Sequence, residues 1–335
     1  MFRQYLLLVR APNLFTIPSN ILAGYFAIAT VGITDIGALL LLVVSSIFLY
    51  ISGIILNDYF DIEVDRKERP NRPLASGRIE KRTALVIAVI SIIIGNILAL
   101  VVSLTTLAVS ALLTSVIIAY NYRLKRNAIA NPLTMGLARF LNVVMGGSTA
   151  LGLVIITQQD YTLLVFIGYC LFLYTAAISI LSRIEIASTK ISFTRSSWIS
   201  ILLSFSIVSF IIVLILTVGL LGYFQIWFIF NLIIFSCVMA VIFLRLIMKV
   251  RKLTTMSPGI GYRKEIDIRL TEERAQNNSF SKVTREIQLT IKTMILSIIV
   301  LDSVFLSGLV GIQAGMAILL LVIPPILLGR KLYVT

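Results

Sequence analysis

The sequence predicts an all-α, polytopic transmembrane bundle of about nine to ten helices, and three observations carry that reading. Apolar residues make up 59% of the chain and charged residues only 13%, and the mean hydropathy of +1.01 lies far outside the soluble globular range. Apolar runs recur at lengths that cross about 30 Å of hydrocarbon. The basic residues, which leave a formal net charge of +14, are confined to short segments between those runs. In a soluble domain that charge would suggest nucleic acid as a partner. Segregated as it is here, it reads as the charge bias of a membrane protein, and no nucleic acid is expected.

Each element follows from this pattern in order. Met1 to Arg10 is a short basic amphipathic piece that leads into a span at roughly 13–31 without a small-residue cleavage site, so no removable signal peptide is expected. Further spans fall at roughly 36–56, 83–102, 105–121, 132–156, 161–181, 198–217, 224–247, 291–307 and 312–329. The last pair is the least sharply divided, because Gly308, Gly311 and Gly315 mark either a turn or a kink. Between the spans, segments at about 57–82, 122–131, 182–197 and 248–290 hold most of the charge, and Lys249 to Ser281 reads as a solvated linker. The whole of 1–335 reads as one transmembrane domain without a sequence repeat.

Placing the basic residues sets the topology. Arg3, Arg10, the run from Arg66 to Arg82, Arg123 to Arg126, Arg183 to Arg195, Arg245 to Lys292, and Arg330 with Lys331 all fall on one side. The opposite loops, near Asp35, Thr105, Asp160, Leu221 and Gly311, contain no Lys or Arg. Both termini and every basic loop are therefore expected in the cytoplasm, for an integral multi-pass protein in contact with membrane lipids. Cys170 and Cys237 lie inside apolar runs, so no disulfide is expected. The chain has no histidine, which removes the usual general base and makes zinc and haem improbable.

Chemistry concentrates directly after the second span, where Asn57-Asp58-Tyr59-Phe60-Asp61-Ile62-Glu63-Val64-Asp65 carries four of the fifteen carboxylates of the chain. Asn57, Asp61 and Asp65, spaced i, i+4, i+8, drift only about 80° around a helix and share one face. Asp58 leans to that face and Glu63 points away. Oxygen donors without nitrogen or sulfur suit a hard cation, and Mg²⁺ takes one or two carboxylates and completes its shell with substrate phosphates. A metal-bound phosphate ester is the expected ligand. The bland reading is a solvated, charge-balanced loop. Two prolines in Arg69-Pro70-Asn71-Arg72-Pro73 then end the helix and turn the chain.

Asn57-Asp58-x-x-Asp61-x-x-x-Asp65, followed by Arg69-Pro70-x-Arg72-Pro73-Leu74-x-Ser76-Gly77-Arg78, resembles the first aspartate-rich motif of the UbiA superfamily of intramembrane prenyltransferases. Leu8-Val9-Arg10-Ala11-Pro12-Asn13, Tyr120-Asn121-Tyr122-Arg123-Leu124-Lys125-Arg126 and Gly136-Leu137-Ala138-Arg139-x-Leu141-Asn142 extend the likeness over the first half of the chain. The resemblance implies a central cavity in the bundle, Mg²⁺ holding a prenyl diphosphate, and ionisation to an allylic cation that alkylates a lipophilic or aromatic acceptor. By position it implies Asn57, Asp58, Asp61 and Asp65 as metal ligands, with Asp61, Asp65, Arg72 and Lys125 at the chemistry. Arg10, Asn13, Arg69, Ser76, Tyr120, Arg139, Asn142 and Arg183 would bind substrate. No obligate protein partner is evident.

The second motif departs from the family pattern. Where another Asp-x-x-x-Asp is usual, this chain has Ser182-Arg183-Ile184-Glu185-Ile186-Ala187-Ser188-Thr189-Lys190, so Glu185 is the one carboxylate left for metal. Fixed positive charge could replace a second Mg²⁺ there, or Glu185 could pair with Arg183. This raises an alternative function: a non-catalytic protein that binds or transports isoprenoid diphosphate. A CDP-alcohol phosphatidyltransferase is a third reading, but no Asp-Gly-x-x-Ala-Arg precedes the aspartates. Asp302, the one carboxylate deep in a predicted span, is either functional or hydrogen-bonded to a neighbouring helix.

Overall fold

The structure, a computed structural model, describes residues 2–28, 35–149, 158–187, 195–255 and 267–332. In chain order its helices are α1 (Phe2–Leu8), α2 (Thr16–Ile28), α3 (Ile36–Phe60), α4 (Ile62–Glu68), α5 (Lys81–Val102), α6 (Leu104–Tyr122), α7 (Ala130–Gly147), α8 (Gln158–Ala187), α9 (Arg195–Val218), α10 (Phe228–Thr255), α11 (Asp267–Leu309), α12 (Ile312–Leu319) and α13 (Ile323–Leu332). Among the described residues there is no strand. Eight helical segments there are long and apolar enough to cross a membrane, and the bent pair Phe2–Leu8 with Ala11–Ile28 brings the number to nine. The one predicted span outside this number is the fifth, at roughly 132–156, which corresponds to α7; α7 is less apolar, and its Arg139 and Asn142 line a cavity. The protein is an integral multi-pass membrane protein, and Val86, Ile90, Ile93 and Ile97 of α5 show the exposed apolar face that lipid requires.

Local chemistry sets the ends of these helices. The Asp35 carboxylate accepts from the Ala38 N–H at 3.0 Å to cap α3, and the Ser103 hydroxyl accepts from the Thr106 N–H at 3.0 Å to cap α6. Gly311, at φ 125°, makes the break between α11 and α12, so the glycines there form a turn and α12 packs back on α11. The expected linker at Lys249 to Ser281 differs from the structure: α10 continues to Thr255 and α11 begins at Asp267, with 256–266 outside the described residues. Extending an existing helix adds a hydrogen bond per residue without a new nucleus, so good helix formers such as Glu272, Glu273, Arg274 and Ala275 prolong the span into water.

The helices that surround the cavity are held by a close backbone contact. A Cβ on Gly24 of α2 would lie 1.9 Å from the Val143 carbonyl oxygen of α7, and one on Gly146 would lie 2.3 Å from that of Ile21. The two glycines thus let α2 and α7 touch backbone to backbone, as small residues do where helices meet in membranes. The larger apolar cluster packs α8 to α11 around Tyr174, Phe235 and Phe305, and a second joins α2, α3, α6 and α7 around Leu49 and Met145. Gly146→Val should force α2 and α7 apart and lower the unfolding temperature of the detergent-solubilised protein by several degrees, for a loss of about 1–3 kcal/mol. An unchanged unfolding temperature would contradict the contact.

Candidate functional site

The aspartate segment forms because α3 does not stop cleanly. Asp61 leaves helical geometry at φ −97°, ψ 6° and serves as the last cap of α3 and the first of α4. The hydrogen-bond ladder nonetheless runs through it, with Asp61 N–H to Asn57 C=O at 3.1 Å, Asp65 to Asp61 at 2.8 Å and Arg69 to Asp65 at 2.8 Å. With the ladder continuous, Asn57, Asp61 and Asp65 keep the i, i+4, i+8 succession, and the carboxylates pair with different cations. Arg72 Nη1 bridges Asp58 Oδ1 at 3.1 Å and Asp65 Oδ2 at 2.7 Å. Arg10 Nη2 reaches the same Asp58 oxygen at 2.9 Å. Lys125 Nζ pairs with Asp61 Oδ1 at 2.7 Å and lies 3.4 Å from Asn57 Oδ1.

These pairs gather distant parts of the chain at one end of the bundle. Arg10 occupies the corner between α1 and the 3₁₀ turn Ala11–Phe15 in left-handed geometry, φ 48°, the one non-glycine residue with positive φ among those described. Such a backbone costs on the order of 1 kcal/mol, and the ion pair with Asp58 offsets it. Ser179 of α8 donates to Asn131 Oδ1 at 2.6 Å, and Asn131 Nδ2 donates to the Lys125 carbonyl at 2.8 Å, so the end of α8 meets the same place. α13 returns to pack on the turn Ala11–Phe15.

Beneath this end lies a cavity of about 280 Å³ bounded by α2, α3, α6, α7, α8 and α11. Arg10, Asn13, Asn57, Tyr120, Arg139 and Asn142 line it, interspersed with Ile17, Ile54, Leu113, Val116 and Ile298. Arg139 does not snorkel outward: its Nη1 donates to Asn20 Oδ1 at 2.6 Å and its Nη2 to Thr16 Oγ1 at 3.1 Å. The other end of the Asn20 amide donates to Asp302 Oδ2 at 2.7 Å, and Asp302 is wholly buried. Asp302 is thus hydrogen-bonded to a neighbouring helix and serves, through Asn20, as the counter-charge of Arg139. Asn142 accepts from the Ser46 hydroxyl of α3.

The donor set fits a hard cation at one place. Asn57 Oδ1 and Asp61 Oδ1 converge on the Lys125 ammonium, which marks a point where both oxygens meet positive charge. Asp61, at 28% side-chain exposure, is open to a ligand, whereas Asp58 and Asp65, at 4% and 6%, are enclosed by arginines. Among the described residues no three carboxylates converge, so a metal here would draw most of its ligands from substrate and water, as Mg²⁺ does. Burial, opposed by the Asp61 carboxylate, holds the Lys125 ammonium below the usual lysine pKa.

Other expected residues lie apart from the cavity. Ser76 donates to the Pro73 carbonyl at 3.2 Å within the turn after α4, and Arg69 caps α4. Arg183 is half-buried on the last turns of α8. The side chain of Glu185 lies outside the described residues, although its backbone belongs to α8 and not to a loop. Reading the sequence missed Thr16, Asn20, Ser46, Asn121 and Thr175. Single polar residues in apolar runs were the available signal.

A family model described as "UbiA prenyltransferase family" matches residues 18–257. The digeranylgeranylglyceryl phosphate synthase of Methanosphaera stadtmanae is 31% identical over 171 residues, which are 50% of this chain and 60% of that protein. The synthase of the same name from Methanothrix thermoacetophila is 36% identical over 141 residues, 40% of this chain and 52% of that one. The chain therefore spans between about half and three fifths of the length of these curated relatives. Of solved structures, "Structural and mechanistic insights into the biosynthesis of Digeranylgeranylglyceryl phosphate synthase in membranes" superposes with a TM-score of 0.58 at 20% identity, covering 93% of this chain and 100% of that chain. A UbiA homologue from Archaeoglobus fulgidus bound to GPP and Mg²⁺ gives 0.53 at 15% identity, covering 86% and 99%. At such identities the superpositions show a shared fold. Taken with a family match that runs over most of its length, they identify the chain as a member of the UbiA prenyltransferase family.

Proposed function

We propose that the protein transfers a prenyl group from an isoprenyl diphosphate to a lipophilic acceptor within the membrane, with Mg²⁺ held at Asn57 and Asp61. One observation carries this reading: Arg10, Arg72 and Lys125 stand with the carboxylates at the mouth of a largely apolar cavity. An anion at the mouth with a hydrocarbon tail beneath it matches that distribution of charge. The relatives' name describes a glyceryl phosphate bearing two prenyl chains, which favours a lipophilic acceptor over an aromatic one. The positive-inside rule puts the mouth and both termini in the cytoplasm.

The residues divide the work as follows. Lys125 leaves Asp61 to meet the phosphate oxygens, and Arg72, steadied by Asp58 and Asp65, keeps its charge aimed at the mouth. As the allylic C–O bond breaks, the electron pair departs with diphosphate, and these preorganised cations stabilise the growing negative charge. Each such contact contributes roughly 10²–10³ in rate. When bound, Mg²⁺ supplies Lewis-acid neutralisation of the same leaving group. The apolar wall excludes water, which would otherwise capture the cation. No histidine is required. The rival reading, binding without turnover, draws on the rewritten stretch Ser182–Lys190 and is tested by the same assays.

With Mg²⁺, an allylic diphosphate series and lipid-alcohol acceptors, the purified protein should release diphosphate and form a prenylated product. Tight diphosphate binding without release would favour the rival. Asp61→Asn should lower turnover by roughly 10²-fold or more at unchanged thermal stability. Asp58→Asn should instead cost on the order of 3 kcal/mol of stability, because it removes the enclosed carboxylate that Arg10 and Arg72 share and leaves Arg72 with Asp65. Full activity in Asp61→Asn would sink the metal assignment. The Lys125 cation exists below its lowered pKa, so diphosphate affinity should decline with rising pH before the ordinary lysine range is reached. In Lys125→Arg that alkaline limb should move to higher pH, and an unmoved limb would remove Lys125 from the grip.

A further inference from the structure

Six buried side-chain polar atoms have no hydrogen-bond partner among the described residues, and three of them, Asn121 Oδ1, Asn142 Nδ2 and Thr175 Oγ1, belong to residues that line the cavity beneath the mouth. An unsatisfied buried polar atom is costly, and these three share a cavity that a bound molecule or water can enter. Asn142 lies deep: its partner Ser46 is about 16 Å along α3 from Asn57. Asn121 and Thr175 lie nearer the reacting end. Asn121 precedes Lys125 by about one helical turn, and Thr175 precedes by one turn the Ser179 hydroxyl that reaches Lys125 through Asn131.

The chemistry of these two atoms is well defined. Asn121 Nδ2 donates to the Gly53 carbonyl at 3.1 Å and to the Ile117 carbonyl at 3.0 Å, which fixes the orientation of the amide. The unpartnered atom is therefore its carbonyl oxygen, which only accepts. Threonines inside helices ordinarily donate to the carbonyl four residues back, as Thr114 does to Ser110 at 2.8 Å and Thr290 to Glu286 at 2.9 Å. Thr175 makes no such bond, although it is only 5% exposed. A carboxylate or phosphate at this level would meet the lone pairs of Asn121 Oδ1, and a hydrocarbon would leave both atoms unsatisfied.

We infer that Asn121 and Thr175 form an uncharged subsite, one helical turn beneath the ion-paired mouth, that binds the neutral hydroxyl group of the second substrate. The subsite deepens the prenyl-transfer reading and rests on it for the identity of that substrate, which would be an alcohol or phenol with an apolar body. It requires an O–H donor for Asn121 Oδ1, and the hydroxyl oxygen remains free to accept from Thr175.

Three probes of nearly equal shape test this without prenyl diphosphate and without turnover: 4-butylphenol, 4-butylanisole and butylbenzene, titrated against the full-length protein in detergent. The phenol should bind roughly tenfold more tightly than the other two. The preference should fall to near unity in Thr175→Val, which keeps the shape of the side chain, and in Asn121→Leu. Ratios between wild type and variant cancel partition of the probes into micelles. Equal affinity for phenol and anisole would overturn the donor requirement. A preference unaltered in both variants would overturn the subsite and leave the two atoms to ordered water only. A failed transfer assay beside an intact phenol preference would instead strike the transferase reading and leave the subsite in place.

Discussion

Charge cannot stand alone at the edge of hydrocarbon, and the chain Arg10–Asp58–Arg72–Asp65 is the arrangement on which the rest of this structure depends. Asp58 is almost fully enclosed, and a single carboxylate there would be costly unless paired. Its two arginines come from the corner before α2 and from the turn after α4, so neutralising one buried charge fastens three separate segments at the mouth. The left-handed backbone of Arg10 belongs to the same arrangement, since it turns α1 across the end of the bundle by 57°. With Asp58 and Asp65 occupied, Asp61 is left as the open carboxylate, facing Lys125.

A second neutralisation operates deeper and by different means. Arg139 and Asp302 are linked through Asn20, whose amide presents its oxygen to the guanidinium and its N–H to the carboxylate. The reverse orientation would set donor against donor and acceptor against acceptor, so the two charges fix the amide between them. The relay joins α2, α7 and α11, and the glycine contact between α2 and α7 keeps its span short. The cavity thus holds a cation in its wall whose charge is already balanced, a condition for keeping a guanidinium within an apolar bundle.

Much of the fold could be read in the chain because each predicted span is a run of hydropathy interrupted by basic loops, a signal that needs no tertiary information. The residues brought to the mouth were legible for the same reason: Asn57, Asp61, Arg72 and Lys125 fall in polar segments beside spans. What each one does there was not. The partner of Asp58 lies 48 residues away at Arg10, and only the folded chain decides that Asp58 and Asp65 share Arg72 while Asp61 turns to Lys125. The departure of Asp61 from helical φ and ψ leaves the hydrogen-bond ladder intact and has no local signature. The extension of α10 and α11 beyond the membrane escaped a reading based on polarity, because polar helix formers read as linker until a neighbouring span supplies the nucleus. Asn121 and Thr175 stand out only when their neighbours fail to satisfy them.

In the proposed site Asn57 and Asp61 share a cation, and Lys125 yields that place to it when substrate binds. A crystal structure with Mn²⁺ and a non-ionisable prenyl thiolodiphosphate, with anomalous scattering recorded at the manganese edge, tests both parts together. The expected result is a manganese peak in contact with Asn57 Oδ1 and Asp61 Oδ1, and Lys125 Nζ moved from Asp61 onto a phosphate oxygen. A manganese peak elsewhere, or Lys125 still paired with Asp61 beside a bound diphosphate, would contradict it.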